Sequence, residues 1–277
     1  MSYPVVRDST LRSHYKSVER VIAAMHSQMD QPLTLRQMAK IGFASPYHFN
    51  RTFRQVTGVP PSQFLYALRL HAAKQLLVQT QKKVIDICYE VGYNSVGTFT
   101  RRFVDVLGVS PARFRRLVQA PMRRAAAPSS LSPRTKVTGR LGAIADHDLG
   151  GVRVTGYVTA PPGFQGLIAV GVFTTPIPQG VPVACAVISQ SGPYEIRGVP
   201  EGEFHLFALG LADQVDGVAK VDHEKSLRAG GWAIRVSGGI IDGSTTLDLR
   251  PPSSFDPPIL LAIPSIGDAQ PGGSLVI

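Results

Sequence analysis

The chain contains an internal repeat, and nothing else in it limits the possible folds as much. Residues 41–64, IGFASPYHFNRTFRQVTGVPPSQF, lie on residues 91–114, VGYNSVGTFTRRFVDVLGVSPARF, without a gap at an offset of 50. Ten of the 24 positions are identical: Gly42/Gly92, Ser45/Ser95, Phe49/Phe99, Arg51/Arg101, Phe53/Phe103, Val56/Val106, Gly58/Gly108, Val59/Val109, Pro61/Pro111 and Phe64/Phe114. Glycines, aromatics and a proline matching at one offset mean two copies of one supersecondary unit.

Each copy reads as helix, tight turn, helix. Leu35, Met38, Ala39 and Ile41 in copy one, and Ile85, Cys88 and Val91 in copy two, recur at the three-and-four spacing of an amphipathic helix. Gly42 and Gly92 are then expected to take the left-handed position that ends a helix. Ser45 and Ser95 stand where a hydroxyl caps the next helix, and Pro46 suits its first position. Phe49, Phe53 and Val56, like Phe99, Phe103 and Val106, make the inward stripe of the second helix, which Gly58 or Gly108 stops. Between the copies, Ser62 to Thr80 carries Phe64, Leu65, Leu68, Ala72, Leu76 and Leu77 at helical spacing. A helix of that length spans about 27 Å and holds the two second helices at fixed separation.

With the phenylalanines inward, Tyr47, His48, Asn50, Arg51 and Arg54 point away from the core in copy one; in copy two the set is Val96, Gly97, Thr98, Thr100 and Arg101. Arginine reads guanine edges, asparagine reads adenine, and threonine or valine meets the thymine methyl. Arg51 and Arg101 recur in both copies, so anchoring a phosphate or pairing with a nearby acid stands beside base contact. Two such helices about one duplex turn, roughly 34 Å, apart enter successive major grooves of double-stranded DNA. Because the outward residues differ, one chain prefers an asymmetric site.

Charge points the same way. Residues 1–125 hold 19 Lys+Arg against 6 Asp+Glu, a balance of +13, whereas residues 126–277 hold 10 against 13. The first half suits a polyanion and the second does not.

On these residues, positions 17–116 resemble the DNA-binding domain of AraC-type transcriptional regulators, and GYNSVGTFTRRFVDVLGVSPARFRR is similar to that family's second-unit signature nearly throughout. The resemblance implies seven helices, two helix-turn-helix units with a linking helix, and major-groove reading by the second helix of each. By motif position Tyr47, His48, Asn50, Arg51 and Arg54 take the contact positions of unit one, and Val96, Gly97, Thr98, Thr100 and Arg101 those of unit two. Val96 and Gly97 stand where polar residues are frequent, so unit two is expected to lean on Arg101, Arg102 and the phosphates. Many members carry this module at the carboxyl end, whereas here it leads.

The rest of the chain is of another kind. Gly and Pro number 12 in the first 125 residues and 37 in the last 152. Residues 120–138 lack periodicity and read as a flexible linker; Arg115, Arg116, Arg123 and Arg124 beside it either meet phosphates or form a solvated basic tail. From residue 151, VRVTGYVT, LIAVGVF, VACAVIS, YEIRGV, EFHLFALG, WAIRVSG, TTLDLRP and ILLAIP alternate with Gly/Pro turns, which argues for a β-sandwich over 139–277. SGPYEIRGVPEGEFHLFALG resembles the turn-and-strand pattern of carboxypeptidase-regulatory-like and transthyretin-like sandwiches. Trp232, Tyr157, Phe164, Tyr194 and Phe207 are assigned to its core rather than to a ligand pocket.

The fold class expected is therefore multidomain: an all-α double helix-turn-helix domain over 1–119, the linker, and an all-β sandwich. No catalytic residue, metal or cofactor is assigned. Asp146-His147-Asp148 and Asp222-His223-Glu224 are polar loops, because adjacent side chains in extended chain diverge. Ser13-His14-Tyr15-Lys16 matches S-x-x-K without its partner motifs. Two cysteines, Cys88 and Cys185, exclude a disulfide framework, and neither a membrane-length apolar run nor a signal-type leader occurs. The expected location is the cytoplasm, at the nucleoid. The expected function is sequence-specific regulation of transcription; a sequence-indifferent architectural binder is the alternative. RNA polymerase, and a small-molecule effector or protein partner at the sandwich, are the further partner classes.

Overall fold

A computed structural model describes residues 4–119, 137–139, 151–211, 214–215, 218–219 and 226–261. The chain divides into two compact units, one mainly of helices and one mainly of strands. The helical part contains α1 (Pro4–Ser27), α2 (Leu35–Ile41), α3 (Pro46–Thr57), α4 (Pro61–Gln79), α5 (Val84–Glu90), α6 (Val96–Leu107) and α7 (Pro111–Gln119). Their starts follow from local chemistry. The Ser45, Ser95 and Ser110 hydroxyls accept from the amides of His48, Thr98 and Arg113 at 3.4, 3.3 and 3.3 Å. Thr34 and Gln37 form a reciprocal capping box at α2: the Thr34 hydroxyl accepts from the Gln37 amide, and the Gln37 side chain accepts from the Thr34 amide at 2.7 Å. Gly58 and Gly108, at φ +79° and +72°, end α3 and α6.

The two units carry the same aromatic ladder. Phe49, Phe53 and Phe64 meet at ring separations of 5.6 and 5.5 Å; Phe99, Phe103 and Phe114 meet at 5.7 and 5.6 Å. All six are buried. Each contributes roughly 1.5–3 kcal/mol by burial, and each tilted or edge-on pair about 0.5–1.5 kcal/mol more. Val106 is buried with its ladder, whereas Val56 is only half-buried. The connecting helix α4 buries Ala67, Leu68, Leu70, Ala73 and Leu77 as well as Phe64 and Leu65, because α1, α2, α3 and α5 pack around it. Ala72 and Leu76, expected in its stripe, are half-buried.

The structural repeat departs from the sequence repeat at the turn. Gly42 has φ −78°, not the left-handed value expected; Phe43 takes that conformation at +54°, while in unit two Gly92 takes it at +83°. The same capping bonds follow: the Ala44 amide donates to the Ala39 carbonyl and the Tyr93 amide to the Cys88 carbonyl, both at 3.0 Å. Phe43 thus corresponds to Gly92, and Gly42 to Val91. Burial agrees with an offset of 49 here, since Met38 and Ala39 match Ile87 and Cys88, and Val18 and Val21 in α1 match Ala67 and Leu70 in α4. Unit two has one more residue before its capping serine, which restores the offset of 50 in α6. Gly42 is small for a different reason. A Cβ there would stand 2.8 Å from Ser17 Oγ and 3.0 Å from the Phe49 ring.

The β-rich unit contains β1 (Val137–Gly139), β2 (Val152–Thr159), β3 (Leu167–Phe173), β4 (Gln179–Gly180), β5 (Ala184–Ile188), β6 (Gly192–Val199), β7 (Gly202–Leu211), β8 (Gln214–Val215), β9 (Val218–Ala219), β10 (Leu227–Ser237), β11 (Ile240–Asp242), β12 (Thr246–Asp248) and β13 (Leu260–Leu261). A six-stranded sheet runs β1-β5-β3-β7-β10-β11, all antiparallel; a three-stranded sheet runs β12-β2-β6, with β12 parallel to β2. One apolar core draws Val154, Val158, Tyr194 and Ile196 from the small sheet and Ile168, Val170, Phe204, Leu206 and Ile234 from the large one. The Pro200–Glu201 turn carries the chain from one sheet into the other.

Three expectations change here. Val137 and Thr138, assigned to the linker, pair with Val187 and Ala186 of β5. Trp232 and Tyr157, assigned to the core, are 54% and 48% exposed. Trp232 is the first paired residue after the register shift of β10 between Gly230 and Trp232, where the regular pleat is disrupted. Finally, the expected strand TTLDLRP shrinks to three residues, while of ILLAIP the strand takes in Leu260 and Leu261 and residues 262–264 lie outside the described residues.

Candidate nucleic-acid interface

Helix α3 has no acidic residue, and its outward face shows Tyr47, His48, Arg51 and Arg54 exposed, with Asn50 half-buried. Tyr47 is 82% exposed, so nothing in the unit shelters it. The His48 ring stands edge-on to His14 of α1 at 5.5 Å. On α6, Gly97, Thr98, Arg101 and Arg102 are exposed and Val96 and Thr100 half-buried. Phe49, Phe53, Phe99 and Phe103 lock both helices to the core from the opposite side. Side chains on such helices are aimed by a rigid frame rather than by a loop.

Arg102 is less free than its neighbours. Its guanidinium lies over the Tyr66 ring at 5.1 Å, and the Tyr66 hydroxyl donates to its carbonyl oxygen at 3.3 Å, tying α6 to α4. Burial pushes the Tyr66 phenol up, against the pull of the Arg102 charge.

Two arginines are structural. Arg115 of α7 donates from Nε to the Leu77 carbonyl at 3.2 Å and from its terminal nitrogen to the Lys82 carbonyl at 2.7 Å, which closes the segment between α4 and α5. This accounts for a residue otherwise assigned to phosphates or a basic tail. Arg69 of α4 does the same for the loop after α1, donating to Met29 and Gln31 carbonyls at 3.1 and 2.8 Å. Burial lowers its pKa. Nothing in the spacing of either arginine marked that role; only the fold brings them to those carbonyls. Arg116 is exposed, and Arg123 and Arg124 lie outside the described residues.

Among the described residues no group of three His, Cys, Asp or Glu is placed to hold a metal ion, and no helix is long and apolar enough to cross a membrane. The Asp146-His147-Asp148 and Asp222-His223-Glu224 triplets lie outside those residues. Ser13, His14, Tyr15 and Lys16 belong to α1.

Comparison with known proteins finds likenesses in the helical part of the chain. A family model described as a helix-turn-helix domain matches residues 38–117. The bifunctional transcriptional activator/DNA repair enzyme AdaA of Bacillus subtilis is 35% identical over 100 residues, 36% of this chain and 47% of the relative. The transposon Tn10 TetD protein of Escherichia coli is 31% identical over 103 residues, 37% of this chain and 75% of the relative. A crystal structure of an AraC-type DNA-binding-domain regulator from Chromobacterium violaceum covers 39% of this chain and 96% of its own, at 26% identity and a TM-score of 0.36. The chain spans less than half the length of AdaA, and every one of these matches covers under two fifths of this chain. Through its helical domain, the chain belongs to the AraC-type helix-turn-helix family of DNA-binding proteins.

Proposed function

We propose that the chain is a sequence-specific DNA-binding regulator of transcription in which α3 and α6 read two successive major grooves of one duplex. The observation that carries this reading is the pair of locked helices, each with an exposed polar face and each face different. Tyr47, His48, Asn50, Arg51 and Arg54 are the contacts of unit one; Val96, Gly97, Thr98, Thr100, Arg101 and Arg102 are those of unit two. Helix α4, 19 residues and about 27 Å long, is the spacer that matches the roughly 34 Å turn of the duplex. The half-buried state of Val96 and Thr100 supports a division of labour, with unit one reading more base edges and unit two relying on Thr98, Arg101 and phosphates.

The domain scheme is DNA binding over 1–119, a linker over 120–138 and a β-sandwich of carboxypeptidase-regulatory-like or transthyretin-like type over 139–277, acting as sensor or interaction module. RNA polymerase and an effector of the β-rich unit are its further partners, and the cytoplasm its location. The shared apolar core of the two sheets supports the sandwich. A mobility-shift assay with the full chain, genomic DNA fragments and random-sequence competitor tests the reading. A subset of fragments should resist competition; uniform competition would instead favour sequence-indifferent binding.

A further inference from the structure

Helix α1 carries Arg12, Lys16 and Arg20 at positions i, i+4 and i+8, so the three stand one above another on a single face. All three are exposed. With Ser13, Ser17, Gly42 and Phe43 they line one open groove. The groove is fixed to the turn of unit one, because Ser17 Oγ donates to the Gly42 carbonyl at 2.6 Å. It also borders the start of α3, since Phe43 lies two residues before the capping Ser45 and His14 meets His48.

Phe43 is the unusual member. It is 83% exposed and adopts φ +54°, where unit two uses Gly92. Its position is costly for a side chain and is not compensated by burial. What it does hold is Arg20, whose guanidinium lies 4.8 Å from its ring centroid. By the offset of 49, Arg20 corresponds to Arg69. In unit two a Cβ on Gly92 would stand 2.7 Å from the Arg69 guanidinium, which turns inward to the Met29 and Gln31 carbonyls. In unit one the aromatic ring keeps the equivalent arginine on the surface. Positions 12 and 16 have Pro61 and Leu65, both buried, as their counterparts, so the cationic face belongs to unit one alone.

We infer that this face of α1 is a phosphate-backbone anchor, gripping the duplex beside the groove that α3 enters. The inference rests on the DNA-reading function proposed above. The N-terminal residues of a second helix meet base edges, so the turn before it lies at the groove's phosphate wall. Three cations gathered on one groove complement that wall and carry no sequence information. Phe43 is a positioning residue, acting through Arg20.

The test uses the full chain, a duplex recovered from random-sequence selection, and fluorescence anisotropy between 50 and 200 mM salt. Each phosphate contact contributes about 0.9 to the slope of log affinity against log salt, so R12Q/K16Q/R20Q should flatten the slope by about 2.7 and narrow the wild-type advantage roughly forty-fold across that range. The selected sequence should not change. A slope equal to wild type overturns the anchor, including the case in which the groove serves an acidic protein partner. Should the triple variant melt at lower temperature, Phe43→Gly decides: it should keep the wild-type helical signal yet bind the duplex several-fold more weakly, and equal binding overturns the proposal. Loss of sequence preference in the wild-type chain is a separate result, which strikes the reading by α3 and α6 and leaves the salt comparison intact.

Discussion

Four glycines of the helical domain allow backbone conformation and steric approach to be separated. Gly58 has φ +79° and nothing within 4 Å of the place a Cβ would occupy, so Gly58→Ala meets only the left-handed backbone, a cost of about 1–2 kcal/mol. Gly108 is the same case in unit two. Gly92 adds an obstacle to the same conformational cost. A Cβ there would lie 2.2 Å from the Met29 carbonyl oxygen and 2.7 Å from Arg69, and the backbone oxygen cannot rotate aside as a side chain can. Overpacking of this kind adds about 1–3 kcal/mol, for a total of roughly 2–5 kcal/mol. In a domain of this size each kcal/mol lowers the melting temperature by about 4–8 °C. Gly42→Ala makes the converse test, because its φ of −78° suits alanine and only Ser17 Oγ and the Phe49 ring stand close. Thermal melts of the full chain followed by helical circular dichroism should rank Gly92→Ala as most damaging. A Gly92→Ala melt no lower than that of Gly58→Ala would refute the close approach of Gly92 to the Met29 loop.

Arg51→Ala should weaken binding by about 1–3 kcal/mol and relax specificity at one base pair, measured by competition with single-substitution duplexes; uniform weakening would assign Arg51 to a phosphate. Arg115→Met removes two charge-assisted bonds at a half-exposed site and should lower stability by about 1–3 kcal/mol in urea titration, and an unchanged midpoint would contradict its place between α4 and α5. Lys74, 5% exposed at the position matching Met25, has its pKa drawn down by burial to about 8. The unfolded chain binds the proton more tightly, so stability rises as pH climbs from about 8 toward 10.4, by on the order of 3 kcal/mol. Lys74→Met should stabilise the domain at neutral pH and flatten that part of the pH profile; a profile parallel to wild type would show that Lys74 is not buried.

The repeated phenylalanines, the capping serines, Pro46 and the glycines ending α3 and α6 stood at the right places in the sequence because each answers a local requirement of helix geometry. Gly42 matched Gly92 by identity yet differs from it in conformation. Identity alone does not distinguish a glycine needed for its backbone from one needed for its lack of a Cβ, and the extra residue in the second turn is invisible to an ungapped comparison. The burial of Ile87 and Lys74 becomes readable only once the offset of 49 is known. Arg69, Arg115 and the groove under Phe43 depend on contacts between residues dozens of positions apart. In the β-rich unit the long strands announced themselves by alternation, whereas the register shift beside Trp232 depends on how Gly230 pairs with Phe207 across the sheet. The outward faces of α3 and α6 were legible because helical periodicity fixes which residues the phenylalanines leave exposed.

Sequence selection from random DNA by the full chain, repeated with Arg51→Ala and Arg101→Ala, probes most directly whether two unlike helices read one duplex. Two short, unrelated preferred blocks should emerge, centred about 10 base pairs apart, with each substitution blurring only its own block. A single block, or one palindromic site blurred alike by both substitutions, would contradict it.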